Sequence, residues 1–532
     1  MIQLFSSIIL ALWLGAAFAI ARLLRAEADA RREQWALAAW AFALTAWRDP
    51  IPAHFFASVS HTFPEHLSKI GLGWPTLTAA LSHLAPRTDW VSFGAARLCG
   101  VLTGPIAYAA LRRLSPDRHV ALLGAALLVA LPFQIALATG DDAQPAALML
   151  FLAGLGHFAD YVRTGKRDSF ALAAPCFVLM VHTRLDAAFT LPAVLVLVVQ
   201  PRAFAALVRR DAVMLATAGV ATAVFTRAAI ATDLERCLPY PTPSEVLREA
   251  INAVTLFPAM GDHFTVDTTL LGRVANMDAL NFDRISWVPV VVLPFLWSGW
   301  GMLLFTERGA RMVAAVLLAR LPGYVYLNVG GTDYLGSRHF IGVMPLLCLV
   351  TATSAVHLGR KLGRAAPLAA LCVAALFAAE ALPPLRFRFA FQEEYAFLRR
   401  ALMTLPAEAS VASFQFEFGL SPAESSLRLL RPDILWVDFG RDGAPPTRFA
   451  YLGPECHALR LVDLELVTRA YLDADRRLAM LTLSRERCQT LERQPTRREL
   501  ARGSVSRHGH GPQVVVGPWF PIRIVELAPS RD

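Results

Sequence analysis

Hydrophobic residues in this chain fall into unbroken blocks of 13 to 21, and short charged connectors separate them. A helix with one buried face repeats its apolar residues every three or four positions, and a half-buried strand alternates them. Neither pattern describes these blocks. A bilayer crossing needs about 20 apolar residues, because the helix must satisfy its own backbone groups where no water can. Twelve candidate spans follow: 4–21, 35–47, 91–111, 119–139, 145–162, 169–182, 187–200, 212–230, 286–305, 312–330, 339–357 and 367–383. Spans 35–47, 169–182 and 187–200 are short for a full crossing. Either they extend into their polar flanks, or the last two form a half-deep pair turning at His182–Asp186.

Composition agrees with a polytopic α-helical membrane protein. Of 532 residues, 55% are hydrophobic and 17% charged, against about 25% charged in soluble domains. That excludes a soluble enzyme, a disordered chain and a fibrous protein. The formal charge is +9, and all but three of the 51 basic residues are arginine. In a soluble protein this balance would point to nucleic acid; here its distribution sets topology. Connectors 21–33, 112–118, 163–169, 201–211, 306–311 and 359–364 carry 4, 3, 3, 3, 2 and 3 Lys/Arg. Loops 48–90, 140–144 and 231–285 carry three, none and four, few for their lengths. The positive-inside rule puts the first set in the cytoplasm and both termini outside. Leu4–Ala21 has its positive charges, Arg22 and Arg25, after it. A cleaved signal has them before, so this segment reads as an anchor.

The outer loops carry more than connections need. Loop 48–90 is aromatic-rich, and Trp74–Leu84 within it suits an interfacial amphipathic helix. Loop 231–285 holds Pro239, Pro241, Pro243 and Pro258 and suits a mobile lid. After Pro383–Pro384 the composition changes to 21 Arg and 18 acidic residues with no span-length block. Short β-like runs (Ser410–Phe414, Ile434–Phe439, Leu459–Leu464, Leu478–Leu483, Val514–Val516, Ile522–Leu527) accompany one helix, Glu393–Leu405. Residues 384–532 are therefore expected to form an extracytoplasmic α/β domain. Cys456 and Cys488 lie in it and can pair if it is extracytoplasmic.

Ionisable residues at membrane depth are costly, so four groups are candidates for chemistry. Asp49, in Arg48–Asp49–Pro50, is either a general base or cation ligand, or a turn starter paired with Arg48. Asp141–Asp142, between Gly140 and Pro145, is either a solvated turn or a pair of carboxylates that a cation must reconcile. Arg184 and Asp186 either bind a phosphate or form an internal salt bridge. Arg338–His339 opens a span; Arg338 either binds phosphate or snorkels to the headgroups. Arg97 and Arg320, inside spans, must find a partner or water. His54, His61, Glu65 and His66 read more cheaply as an exposed aromatic loop than as a metal site. No P-loop, GxGxxG, HExxH or GxSxG is present, so ATP-driven, redox and serine-hydrolase chemistry lack sequence support.

This layout resembles the GT-C superfamily of integral membrane glycosyltransferases, which includes protein O-mannosyltransferases and lipid A aminoarabinose transferases. The resemblance rests on Asp49 after the span that opens the first outer loop, and Ala95–Leu98 at the start of the next. It continues with Pro132 running into Asp142, the Arg-x-Asp at Arg184–Asp186, the span RHFIGVMPLLCLV at 338–350, and EEYAFLRRALMTLP at 393–406. It covers roughly 34–405. It implies a catalytic transmembrane module at 34–230, an outer loop at 231–285, further helices at 286–383, and the terminal domain at 384–532. Residues 1–33 add a span and cytoplasmic linker ahead of the module. The acidic turn is Asp-Asp rather than a Glu-containing signature, and the chain after about 405 has no counterpart.

The resemblance implies transfer of a sugar from a polyprenyl-phosphate carrier to an extracytoplasmic glycan, lipid or protein, at the outer face of the inner or plasma membrane. Inversion by direct displacement is the family's expectation. Asp49 is then the base, and Asp142 positions the acceptor or holds a divalent cation. Arg338 and Arg184 neutralise the departing phosphate, with Asp141, Asp186 and His339 as further candidates. No nucleic acid is implied. Two other classes stand as alternatives. A transporter or flippase of a lipid-linked glycan would spread charges along broken, pseudo-symmetric spans. A non-catalytic scaffold would need only the terminal domain.

Overall fold

A computed structural model describes residues 2–25, 30–47, 72–84, 90–140, 142–200, 209–213, 216, 241–256, 288–327, 340–386, 390–413, 431, 433–438, 447–453, 486, 489–508 and 515–528. In chain order it contains α1 (Ile2–Arg25), α2 (Arg31–Ala46), α3 (Gly73–Leu84), α4 (Trp90–Leu114), α5 (Arg118–Ala130), α6 (Pro132–Ala138), α7 (Gln144–Thr164) and α8 (Arg167–Thr183). After a 3-10 turn at Leu185–Phe189 come α9 (Thr190–Val198), α10 (Pro243–Thr255), α11 (Val292–Leu303), α12 (Glu307–Leu327), α13 (Met344–Leu362), α14 (Ala366–Arg386) and α15 (Ala390–Ala401).

The helical body is built around α7, in which every residue from Gln144 to Ala159 is buried. Small residues make that possible, since they let neighbouring backbones approach closely. A Cβ on Gly154 would stand 2.7 Å from the Phe177 ring of α8, and one on Gly156 would stand 3.0 Å from Leu23 of α1. The His157 imidazole Nε2 lies 2.8 Å from the Ala19 carbonyl, tying α1 to the same helix. The first span is thus packed into the body. At the C-terminal end of α7, Asp160 pairs with Arg113 at 2.7 Å, and Tyr161 donates to Asp211 at 2.6 Å.

Among the described residues four helices are long and apolar enough to cross a membrane: Ser7–Arg25, Val91–Leu114, Gln144–Thr164 and Met344–Leu382. The first three correspond to expected spans, and the described residues do not show the count of twelve. Span 119–139 is a pair, α5 and α6, bent by 63°. Pro132 lacks an N–H and holds Leu131 in extended backbone (ψ 130°), so the helix breaks there. Spans 35–47, 169–182, 187–200 and 286–305 appear as α2, α8, α9 and α11, all short. The described part of span 312–330, up to Leu327, lies in α12, whose Arg320 and N-terminal charges lower its hydropathy. Spans 339–357 and 367–383 merge into one 39-residue helical run, interrupted only by a 3-10 turn at Gly363–Ala365. Most of span 212–230 lies outside the described residues.

Among the described residues the C-terminal segment contains a five-stranded mixed sheet with the order β2-β1-β3-β5-β4. Its strands are β1 (Ser410–Ser413), β2 (Leu435–Asp438), β3 (Phe449–Leu452), β4 (Thr496–His508) and β5 (Val515–Leu527). β1 runs parallel to β2 and β3, and β5 runs antiparallel to β3 and β4. The expected runs at 410, 434, 514 and 522 are strands, the last two joined in β5. Those at 459 and 478, and Cys456 and Cys488, lie outside the described residues. Strand β4 was not anticipated because its sequence is polar; it is an edge strand with bulges along its pairing to β5. Helix α15 covers the sheet through Leu398, joined by Leu402 of the 3-10 turn that follows, and Tyr451 of β3 donates to Glu394 at 2.7 Å. The same apolar cluster takes in Phe93 of α4, whose ring meets Tyr395 edge-on at 5.8 Å.

Glu526 of β5 accepts from Arg448 at 2.9 Å and from Arg497 at 3.4 Å. Hydrogen bonding from Arg448 holds its carboxyl below the usual value, against burial. A depressed folded-state value adds stability above the ordinary carboxylate range, and that stability is lost as pH falls through the folded value. Thermal unfolding of the full chain should therefore show a gap in Tm between wild type and Glu526→Gln that is constant near neutrality. The gap should close below about pH 4.5, the ordinary glutamate value. A gap that does not change with pH would contradict the assignment.

Candidate functional site

Asp142 sits in the turn between α6 and α7 and is fully buried. Helix α6 ends at Ala138, and the Thr139 hydroxyl folds back onto the carbonyls of Ile135 and Ala136, both at 3.0 Å. Pro145 then opens α7, where its missing N–H costs nothing. Between these two signals the Asp142 carboxylate accepts the Gln144 backbone N–H at 3.1 Å. The Gln144 side chain is buried too. With the amide turned so that its nitrogen faces Asp142 and its oxygen faces Arg184, the orientation that satisfies both neighbours, it donates to the Asp142 carboxylate and accepts from Arg184 Nη1 at 2.7 Å.

Arg184 stands where α8 ends. Its backbone is extended (φ −146°, ψ 111°), while its N–H still reaches the Met180 carbonyl at 2.9 Å. Its guanidinium grips Asp186 as a fork, with Nε to Oδ1 and Nη2 to Oδ2 both at 2.8 Å. Both side chains are largely buried, and Asp142 also acts on Arg184 through space. The result is a continuous carboxylate–amide–guanidinium–carboxylate chain, Asp142–Gln144–Arg184–Asp186, joining two distant connections. Bidentate, charge-assisted contacts of this kind are the strong and directional ones. The floor beside it is closely packed. A Cβ on Gly73 would come within 2.6 Å of Thr183 Oγ1, and Trp13 donates to the Gly73 carbonyl at 3.0 Å.

A second ionic element adjoins the first. Arg320 of α12 is 2% exposed and meets Glu249 of α10 at 2.6 Å, while its guanidinium lies 4.5 Å over the Phe340 ring. Asp186 contributes to the field at Arg320. Helix α10 lies within the segment expected to be a mobile lid. A capping box, Thr242 with Glu245, starts it, and the Arg320–Glu249 pair packs it against the body.

The structure thus brings together Asp142, Arg184 and Asp186. Asp49, Asp141, Arg338 and His339 lie outside the described residues, as do His54, His61, Glu65 and His66. Of the two readings for Arg184 and Asp186, the internal salt bridge is present. Arg320 finds the partner that burial demands. Sequence reasoning missed Gln144, which has no charge to draw attention, and Phe340. It also missed Glu249, although Thr-Pro-Ser-Glu at 242–245 is a helix-start signature. Among the described residues no cluster of three or more His, Cys, Asp or Glu is arranged to hold a metal.

No protein-family model matches the chain, and no curated protein matches it either. Among solved structures, it aligns with ArnT from Cupriavidus metallidurans bound to undecaprenyl phosphate, at 11% identity. That alignment covers 93% of this chain and 98% of the other, with a TM-score of 0.45. The apo state of the same enzyme aligns at 11% identity over 96% and 98% of the two chains, with a TM-score of 0.46.

Removing one partner of a buried pair leaves an uncompensated charge, at a cost of about 3–5 kcal/mol. Arg320→Leu and Glu249→Gln should each lower the unfolding temperature of the purified full chain, and Arg320→Leu should do more harm alone than combined with Glu249→Leu. Additive losses in the double variant would show that the two side chains are not coupled.

Proposed function

We propose that the protein is a membrane glycosyltransferase that moves a sugar from a polyprenyl-phosphate carrier to an acceptor at the membrane face opposite the basic connectors. One observation carries the reading: Asp142, Gln144, Arg184 and Asp186, from separate stretches of chain, meet in a buried polar network at one end of the helical body. Burying charges is expensive, and a network whose geometry is fixed in advance suits a reaction in which charge moves. The order of the residues along the chain supports the same reading through its resemblance to GT-C enzymes.

The chemistry asks little of the protein. The bond between the anomeric carbon and the phosphate oxygen breaks, and the phosphate leaves with the electron pair. An acceptor hydroxyl or amine attacks the same carbon and gives up its proton. In this proposal Asp49 takes that proton, and Asp142 orients the acceptor or holds a divalent cation. Arg338 and Arg184 offset the charge on the leaving phosphate. Asp186 and Gln144 fix the plane of the Arg184 guanidinium, which is the positioning that oriented electrostatic catalysis requires. Direct displacement of this kind inverts the anomeric centre.

The test supplies purified full chain with a labelled polyprenyl-phosphate sugar and a membrane lysate as acceptor source. Losing one oriented stabilising group typically costs about 10²–10³ in rate. Asp142→Asn and Asp49→Asn should each reduce transfer by that order while leaving the unfolding temperature within a few degrees, whereas Arg184→Gln, which strands the Asp186 carboxylate, should reduce transfer and also unfold earlier. Absence of transfer by wild type, or equal transfer by all three variants, removes the proposal.

A further inference from the structure

At the other end of α7 lies a cavity of about 380 Å³. Helix α7 rises about 1.5 Å per residue, so its two ends stand about 30 Å apart, the thickness of a hydrocarbon core. Four arginines line the cavity: Arg113 of α4, Arg163 of α7, and Arg308 and Arg311 of α12. Its remaining wall is mostly aliphatic, with Leu114, Val162, Leu197, Val198 and Leu349.

The charges around this cavity do not balance within the described residues. Asp160 serves two of the arginines, meeting Arg113 and Arg163 each at 2.7 Å. Arg311 has only a distant carboxylate, Glu307 at 3.8 Å, which is itself mostly exposed. Its Nε is buried without a hydrogen-bond partner, and its Nη1 reaches the Leu197 carbonyl at 3.3 Å. Arg308 is half-buried one turn away and, among the described residues, makes no hydrogen bond or ion pair. Burial and then Arg311 both push its guanidinium below the usual value. Like charges held together out of water are costly unless an anion joins them. Forked guanidinium donors match phosphate oxygens in particular.

We infer that this cavity is a binding site for the phosphate headgroup of an anionic lipid, taken from the leaflet at this end of the body. Arg308 and Arg311 hold the phosphate, and the aliphatic wall takes the glycerol and the first methylenes of its chains. The aliphatic wall is what favours a lipid over free phosphate, since a small hydrated anion gains nothing from it. The site is independent of the sugar-transfer reading and lies a bilayer's thickness from Asp142.

Native mass spectrometry and thermal unfolding of the delipidated full chain provide the test, with phosphatidylglycerol, diacylglycerol and inorganic phosphate as probes. Wild type should retain phosphatidylglycerol at concentrations at least tenfold lower than Arg308→Gln/Arg311→Gln, and should gain more in unfolding temperature from it. The Lys pair at the same positions should recover most of the binding. Without lipid the Gln pair should unfold no earlier than wild type, because repulsion has been removed. If the Gln pair fails to fold, Val198→Trp, which fills the cavity without altering charge, should by itself abolish retention. The inference is overturned if retention is unchanged in the variants that fold. It is equally overturned if diacylglycerol binds as well as phosphatidylglycerol, or if inorganic phosphate stabilises wild type at the same concentrations as the lipid.

Discussion

The enclosure of α7 is the constraint on which the rest of this structure depends. A helix that meets protein on every side has no stripe to spare for lipid, and its side chains must be small wherever a neighbour crosses it. Gly154 and Gly156 meet that demand against Phe177 and Leu23. Because the helix cannot shift without displacing its neighbours, both of its ends are fixed in space. One end holds Asp142 and Gln144, and the other holds Asp160 and Tyr161. Close-packed interiors behave in this all-or-none way rather than yielding gradually.

Charge inside the body obeys the same discipline. Arg184 finds Asp186 two residues on, while Arg320 has to wait for Glu249 from another segment altogether. The local pair folds with its own turn. The distant pair forms only when α10 docks, so this ionic contact helps to set α10 in register against α12. Replacing both partners by apolar residues is often tolerated in such cases, which makes the pair a device for specifying position more than for adding stability.

Legibility in the sequence followed the strength of the local signal. Ser7–Arg25, Val91–Leu114 and Gln144–Thr164 could be read directly, since length and hydropathy alone define a span there. Asp142, Arg184 and Asp186 stood out because a charge in an apolar setting is conspicuous. The bend at Pro132 needed only the rule that proline breaks a helix, yet periodicity counted the pair as one span. What tertiary contacts decide was not readable. Gln144, itself uncharged, gains its role by joining Asp142 beside it to Arg184, which is remote in sequence, and Glu249 lay in a proline-rich stretch whose capping box was the overlooked clue. The run from Met344 to Leu382 shows the converse. A basic connector marks a topological reversal statistically, but with Gly363 as its one left-handed residue it did not interrupt the helix for more than a turn.

Among the described residues strand β4 forms one border of the sheet and carries Arg497, Arg498, Glu499 and Arg502 along it, with register shifts at three places. An unpaired border ordinarily invites a neighbour's backbone to add itself and continue the ladder. Here any newcomer would have to strip water from a row of guanidinium groups and match an irregular spacing. The border is therefore self-protecting, and two copies crowded in the same bilayer would repel rather than zip together along it.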